Sequence, residues 1–323
     1  MSSGREILRV GNIVADYVVR EGLIRAVDHV TLAVLESEVL GLVGESGSGK
    51  TTLIQAVTRV GPYNMRVKGR VLFEGKNLLE MEEKELRKIR GRLIAQVFQA
   101  AQNSLNPFIK VWDHFLETYR SHYPDVSEDE VRERAVKLLG RVGLDERVLS
   151  MYPHQLSGGM KQRVVIALAL LLDPRLVFLD EPVSALDLIT QKQVLRYLLE
   201  LKKSGKTTMV YVTHDIESLF ELADRLAILY AGVLVEEGGT SGVVKEPLHP
   251  YTQGLMRSLM TVDVDVNKVR SIPGSPPSLL LHLKPKGCPF VDRCPHAASK
   301  CRDVRPGLRE VEKGRKVACH LYG

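Results

Sequence analysis

The chain has 323 residues, enough for one large domain or a domain with an appendix, and its 44% hydrophobic and 26% charged content excludes a disordered or collagen-like protein. A formal net charge of +6 fits a nucleic-acid binder, an anionic-membrane binder or a merely basic protein, but the basic residues are scattered without interleaved aromatics, so no nucleic-acid surface is expected. The longest apolar run, Val164 to Leu172, falls well short of the roughly 20 residues that span a bilayer, and Met1 to Glu6 lack the apolar stretch of a secretory signal, which places the expected protein in the cytosol.

Residues 7 to 35 alternate short apolar and β-branched stretches around Gly22, the pattern of a small antiparallel β layer. The apolar run Val39 to Val43 reads as a buried strand, and it delivers the chain to a glycine-rich turn and then to a helix beginning near Lys50. A further strand is expected around Gly69 to Lys76, an exposed charged helix over Glu80 to Arg90, and a buried strand over Leu93 to Gln99. Residues 100 to 156 are helical in pattern and form an insertion, in which Ser127 and the acids that follow it cap a helix running through Val131 to Val142. Ser157 opens another helix, which Asp173-Pro174 stops. Leu176 to Glu181 is a fully buried strand with acids at its C-terminal end. Helix, strand, helix and hairpin then follow through Glu237. Strands alternating with helices predict an α/β fold with a mainly parallel sheet. Beyond Leu259 the sequence turns Pro- and Gly-rich and loses periodicity, which suggests a domain over 1–259 and a small module over 260–323.

Gly44-Glu45-Ser46-Gly47-Ser48-Gly49-Lys50-Thr51 fits the phosphate-loop pattern in its required setting, between strand and helix. Without Cβ atoms, backbone N–H groups can converge on an anion, and the helix adds its positive end. Lys50 would reach the β- and γ-phosphates, the Thr51 hydroxyl would ligate Mg²⁺, and Thr52 continues the helix. A phosphate loop needs an acid at a strand end to hold Mg²⁺ and a group to orient water. Asp180 and Glu181 supply these. Ser157-Gly158-Gly159, at a helix start, makes a second anion site far along the chain.

At Leu156-Ser157-Gly158-Gly159-Met160 followed by Gln162-Arg163, the sequence resembles the ATP-binding subunits of ABC transporters. The resemblance implies a P-loop NTPase of ABC type and a head-to-tail dimer, in which Ser157, Gly158, Gly159 and Gln162 close over ATP held by the partner's phosphate loop. It also implies that Gln99 touches Mg²⁺ or the attacking water, that Ser184-Ala185-Leu186-Asp187 crosses the dimer interface, that His214 contacts the γ-phosphate and that Tyr17 stacks on adenine. Val183 departs from the family, where many relatives carry Thr. Residues Ala100 to Pro107, His249-Pro250-Tyr251-Thr252 and the cysteine tail look like the dipeptide and oligopeptide importer ATPases, although relatives with the same tail import nickel or oligosaccharides. The implied partners are a second, paralogous ATPase subunit, two transmembrane permease subunits and, indirectly, an extracytoplasmic substrate-binding protein, with the chain at the cytoplasmic face of the membrane and no nucleic acid involved. The competing class is a soluble ABC ATPase acting on DNA or ribosomes, but the chain has neither a second cassette nor a long coiled-coil insertion.

All four cysteines, Cys288, Cys294, Cys301 and Cys319, lie in the tail. Four thiolates suit Zn²⁺ or an iron–sulfur cluster, and the closely spaced knuckles usual for zinc are missing. Relatives with a matching tail imply a [4Fe–4S] cluster, with zinc as the alternative.

Overall fold

The computed structural model describes residues 4–184, 186–213, 215–259 and 272–323. Contacts divide the chain into two units, one of Met1–Leu35, Leu40–Glu80 and His214–Gly323, the other of Glu36–Val39 and Met81–Thr213.

In the first unit, β1 (Glu6–Val19) and β2 (Gly22–Leu35) pair antiparallel across a tight turn, with Val19 opposite Gly22 and Tyr17 opposite Ile24. The strand β3 (Val39–Val43) is buried at all five positions, as its unbroken apolar run requires, and leads into α1 (Lys50–Thr58). Next come β4 (Met65–Phe73), which lies antiparallel to β1, and the short β5 (Lys76–Asn77); the antiparallel layer has the order β2-β1-β4-β5.

The second unit contains α2 (Glu83–Ile89), β6 (Ile94–Val97), α3 (Val111–Arg120), α4 (Glu128–Arg141), α5 (Gly158–Ala169), β7 (Leu176–Asp180), α6 (Leu188–Ser204) and β8 (Thr208–Val212). Its strands β6, β7 and β8 run parallel, Ile94 opposite Leu176 and Asp180 opposite Val212. Ser127 caps α4 by accepting from the Glu130 N–H, and three acids in the first turn meet the helix dipole. Val131, Ala135 and Leu139, spaced by four, are fully buried along one stripe of α4.

The chain then returns to the first unit through α7 (Ile216–Leu222), β9 (Arg225–Tyr230), β10 (Val233–Gly239), α8 (Thr240–Lys245) and α9 (Pro250–Leu259). The strand β9 is parallel to β3, and β10 is antiparallel to β9. The tail contributes α10 (Ser299–Asp303), β11 (Arg309–Glu312) and β12 (Arg315–Val317). These last two strands were not legible: β11 is exposed at all four positions and so has no alternation, yet β12 pairs with β10 and extends the same sheet.

The tail is bound to the first unit at two further places. Residues 279–281 add a short antiparallel segment to the edge of β2, where Arg25 N–H donates to the Leu279 carbonyl and Leu281 N–H to the Leu23 carbonyl, both at 2.8 Å. Beside it, Asp28 and Lys284, each with a side chain only 3% exposed, form an ion pair at 3.1 Å that Arg305 joins at 2.6 Å. Burial pushes the Asp28 carboxyl up, but Lys284 and Arg305 together outweigh burial and hold it below its usual value.

Candidate functional site

The first unit carries the phosphate loop. Gly49 caps α1 with φ of 102°, and a Cβ there would clash with the Ala26 carbonyl; at Gly44 it would clash with the Leu229 carbonyl. The loop's two ends are thus pressed against neighbouring backbone, while its crest, Ser46 and Gly47, is exposed. The Lys50 ammonium folds over the loop, donating to Gly44 O at 2.6 Å and Glu45 O at 3.0 Å, with Ser48 Oγ at 3.4 Å. Thr51 and Thr52 stand half-buried in the first turn of α1. Tyr17, on β1, is half-buried, and its hydroxyl is shared with Thr52 Oγ1 at 3.0 Å and Gln55 Oε1 at 3.2 Å, which anchors it to α1.

Glu45 is held from the other side. Its N–H donates to Tyr251 Oη at 2.8 Å, and its carboxylate accepts from both arms of the Arg293 guanidinium at 2.8 and 3.0 Å. Burial pushes the Tyr251 phenol up, and the hydrogen bonds to Glu45 raise Arg293 still further into the charged range. Arg293 directly precedes Cys294, so the cysteine tail reaches the loop. Tyr251, Tyr230 and Phe290 form an aromatic cluster between the two, with ring centroids 4.5 to 5.5 Å apart.

The four cysteines line one cavity of about 80 Å³ together with His249 and Phe290, and all four are free thiols. Burial pushes the Cys288 thiol up to about 11 and also raises Cys294 and Cys319. Among the described residues no three His, Cys, Asp or Glu side chains are arranged to hold a metal ion.

The second unit carries the remaining candidates. Gln99 is exposed just past β6, ahead of Ala100 in a left-handed turn. Asp180 ends β7 at 1% exposure, and Glu181 follows with φ of 50°, a left-handed conformation that costs a glutamate about 1–3 kcal/mol; its N–H donates to Val212 O at 2.9 Å. Ser157 caps α5 by accepting from Met160 N–H at 3.2 Å, so Gly158 and Gly159 occupy the first turn. Arg163 secures this turn, donating to Gly143 O at 2.8 Å and, more weakly, to Gly159 O. Gln162, expected beside a partner's nucleotide, is instead 2% exposed and donates to Pro182 O at 3.0 Å, a strut within its own unit. Ser184 Oγ donates to Glu181 O, Leu186 N–H to Val183 O, and Asp187 caps α6 by accepting from Ile189 and Thr190 N–H. Hydrogen bonds from Thr190 hold the Asp187 carboxyl below its usual value. His214 and Ala185 lie outside the described residues.

Residues 27–184 match the family described as ABC transporter, and residues 235–301 match the oligopeptide/dipeptide transporter C-terminal region. The chain is 52% identical to the dipeptide transport ATP-binding protein DppD of Caldanaerobacter subterraneus subsp. tengcongensis over 98% of its own length and 97% of that protein's. The chain belongs to the ABC transporter ATP-binding proteins. This ABC ATPase is also 38% identical to the oligopeptide transport ATP-binding protein OppD of Escherichia coli, across 97% of the chain and 92% of the relative. Among solved structures it resembles the dimeric structure of MJ0796, a bacterial ABC transporter cassette, with a TM-score of 0.66 and 32% identity over 72% of the chain and 98% of that cassette. Among the described residues of the ABC ATPase no helix is long and apolar enough to cross a membrane.

Sequence reasoning missed Arg293, the buried ion pair of Asp28 and Lys284, and the half-buried Arg305 that joins it. An arginine set within a cysteine motif was the available signal for the first. An aspartate between apolar strand residues, with Val27 and Val30 fully buried around it, was the signal for the second.

Proposed function

We propose that this chain is the ATP-hydrolysing subunit that energises a membrane importer of dipeptides or oligopeptides. The observation that carries the reading is the phosphate loop, with Gly44 and Gly49 forced by close backbone and Lys50 folded over it, in a chain whose similarity to peptide-transport ATP-binding proteins runs nearly end to end. Residues 1–259 form the ATP-binding domain, with 100–156 as its helical insertion and 260–323 as an extension.

In this reading the N–H groups of Gly44 to Thr52 and the Lys50 ammonium hold the phosphates, and Tyr17 bears on the adenine. Thr51, Gln99 and Asp180 can each offer an oxygen ligand, a donor set suited to Mg²⁺. When bound, Mg²⁺ supplies charge neutralisation at the β- and γ-oxygens. Glu181 accepts a proton from the attacking water and His214 steadies the γ-phosphate. The strained backbone at Glu181 fixes where its carboxylate starts from. Ser157, Gly158 and Gly159 complete the site of a second, paralogous ATPase subunit, and Ser184 to Asp187 lie along that interface. Two permease subunits and an extracytoplasmic binding protein complete the importer, with this subunit at the cytoplasmic face of the membrane.

The four cysteines line one cavity, and the likeness of the tail to that of cluster-binding relatives supports an iron–sulfur cluster there, with zinc as the alternative. Cys288, Cys294, Cys301 and Cys319 would hold the cluster, and a visible absorption spectrum after anaerobic purification tests this: a colourless protein removes it. The activity is tested by Glu181→Gln, which should bind ATP normally and stall hydrolysis in the assembled importer. Wild-type turnover in that variant would remove Glu181 from its role.

A further inference from the structure

The extension meets the phosphate loop at Glu45, and Arg293 makes the contact. Besides its two bonds to the Glu45 carboxylate, the guanidinium donates to Tyr230 Oη at 3.2 Å, Pro273 O at 2.9 Å and Ile272 O at 3.2 Å. It lies over the rings of Tyr230 and Phe290 at 5.7 and 5.8 Å, and its side chain is 6% exposed. Every donor direction of the fork is used, so the guanidinium has one position. Pro276, Pro277 and Leu279 of the extension join Glu45 to Ser48 in lining a second cavity, of about 170 Å³, along the loop's flank.

A carboxylate inside an anion-binding loop opposes the ligand that the loop is built for. Pinning and neutralising it removes that opposition, and a bidentate guanidinium does both where an ammonium gives charge alone. We propose that Arg293 is a positioning residue of the nucleotide site, which neutralises and fixes Glu45 so that the C-terminal extension sets the affinity of the phosphate loop for ATP. The inference rests on the reading that this loop takes ATP.

The test measures Mg·ATP dissociation constants by calorimetry on the purified full chain, for wild type, Arg293→Gln, Arg293→Lys, Glu45→Gln and the Arg293→Gln/Glu45→Gln double variant. Arg293→Gln should weaken binding about tenfold, the size of an ordinary coupling between sites, and Arg293→Lys by less. Adding Glu45→Gln to Arg293→Gln should restore most of the affinity, because the unbalanced carboxylate is then gone. A residue that merely supported the fold would give no such rescue. Wild-type affinity in Arg293→Gln, or a double variant as weak as the single one, overturns the proposal. If Arg293→Gln does not fold, Arg293→Lys and its pairing with Glu45→Gln carry the same comparison, with the same outcomes deciding. A wild-type chain that binds no ATP would strike the reading of the loop itself and not the role of Arg293.

Discussion

Replacing Asp28 by Asn should damage the protein more than replacing its partner Lys284 by Met, although each change deletes one member of the same ion pair. The two side chains are each 3% exposed, with Lys284 Nζ 3.1 Å and Arg305 Nη1 2.6 Å from the same carboxylate oxygen, and Arg25 at 3.8 Å from the other. At 3.1 Å and an effective dielectric near 20 the gross attraction of one such pair is about 5 kcal/mol, offset by several kcal/mol of desolvation for each ion. Asp28→Asn removes the anion that Lys284 and Arg305 share, leaves Asp16 paired only with Arg25, and strands a buried ammonium beside Arg305, at a cost of about 3–5 kcal/mol. Lys284→Met removes the desolvation cost along with the charge, and Arg305 remains on Asp28, so about 1–2 kcal/mol is expected. The double variant should be milder than Asp28→Asn alone. Hydrogen exchange at the amides of Arg25 and Leu281, which close the tail on β2, reads the local opening free energy under urea. The pH dependence follows in sign. The folded carboxyl of Asp28 sits below the usual aspartate value, so its stabilisation is present above that usual value and is lost as pH falls through the lower, folded one. The acid-side loss of protection expected of the wild type should therefore be missing in Asp28→Asn. An Asp28→Asn variant no weaker than Lys284→Met, or a double variant whose cost is the sum of the two, would refute the reasoning.

Other changes have equally direct expectations. Gly49→Ala must adopt φ of 102° and press a methyl group into the Ala26 carbonyl, so nucleotide binding measured by calorimetry should be lost before global stability is. Phe290→Ala, at a site 1% exposed between Tyr230 and Tyr251, should cost about 3–5 kcal/mol in denaturant unfolding of the first unit, whereas Phe290→Leu should cost far less. Gln162→Leu leaves the Pro182 carbonyl without its donor and should lower stability by about 1–3 kcal/mol, read as a shift in thermal midpoint.

The parts legible in the sequence are those whose physics is local. The strand before the phosphate loop is a continuous apolar run because both of its faces are buried, and the loop's glycines carry the positive φ that such a turn demands. Helix starts at Ser127 and Ser157 followed from side-chain caps within three residues. What stayed hidden depends on partners distant along the chain. Arg293 and Glu45 lie 248 residues apart, and neither residue's neighbours announce the other. The left-handed backbone at Glu181 is set by the Val212 carbonyl of the neighbouring strand, which no local propensity encodes. The exposed strand β11 exists because β12 is there to pair with it, and its side chains carry no record of that. Gln162 is placed by the motif's spacing alone, whereas its burial on α5 and its bond to the Pro182 carbonyl depend on a partner 20 residues away.

The tail's attachment by strand addition bears on how the protein is made. The β2 edge at Leu23 to Arg25 receives its last partner from residues 279–281 and the sheet strand β10 from residues 315–317, late in synthesis. A nascent chain that has already produced its phosphate loop thus carries open strand edges until the tail arrives, and such edges recruit other chains. A ribosome that stalls before residue 315 would release a product with a complete ATP-binding loop and an unfinished sheet, a substrate for chaperones and proteases ahead of any assembly with membrane partners.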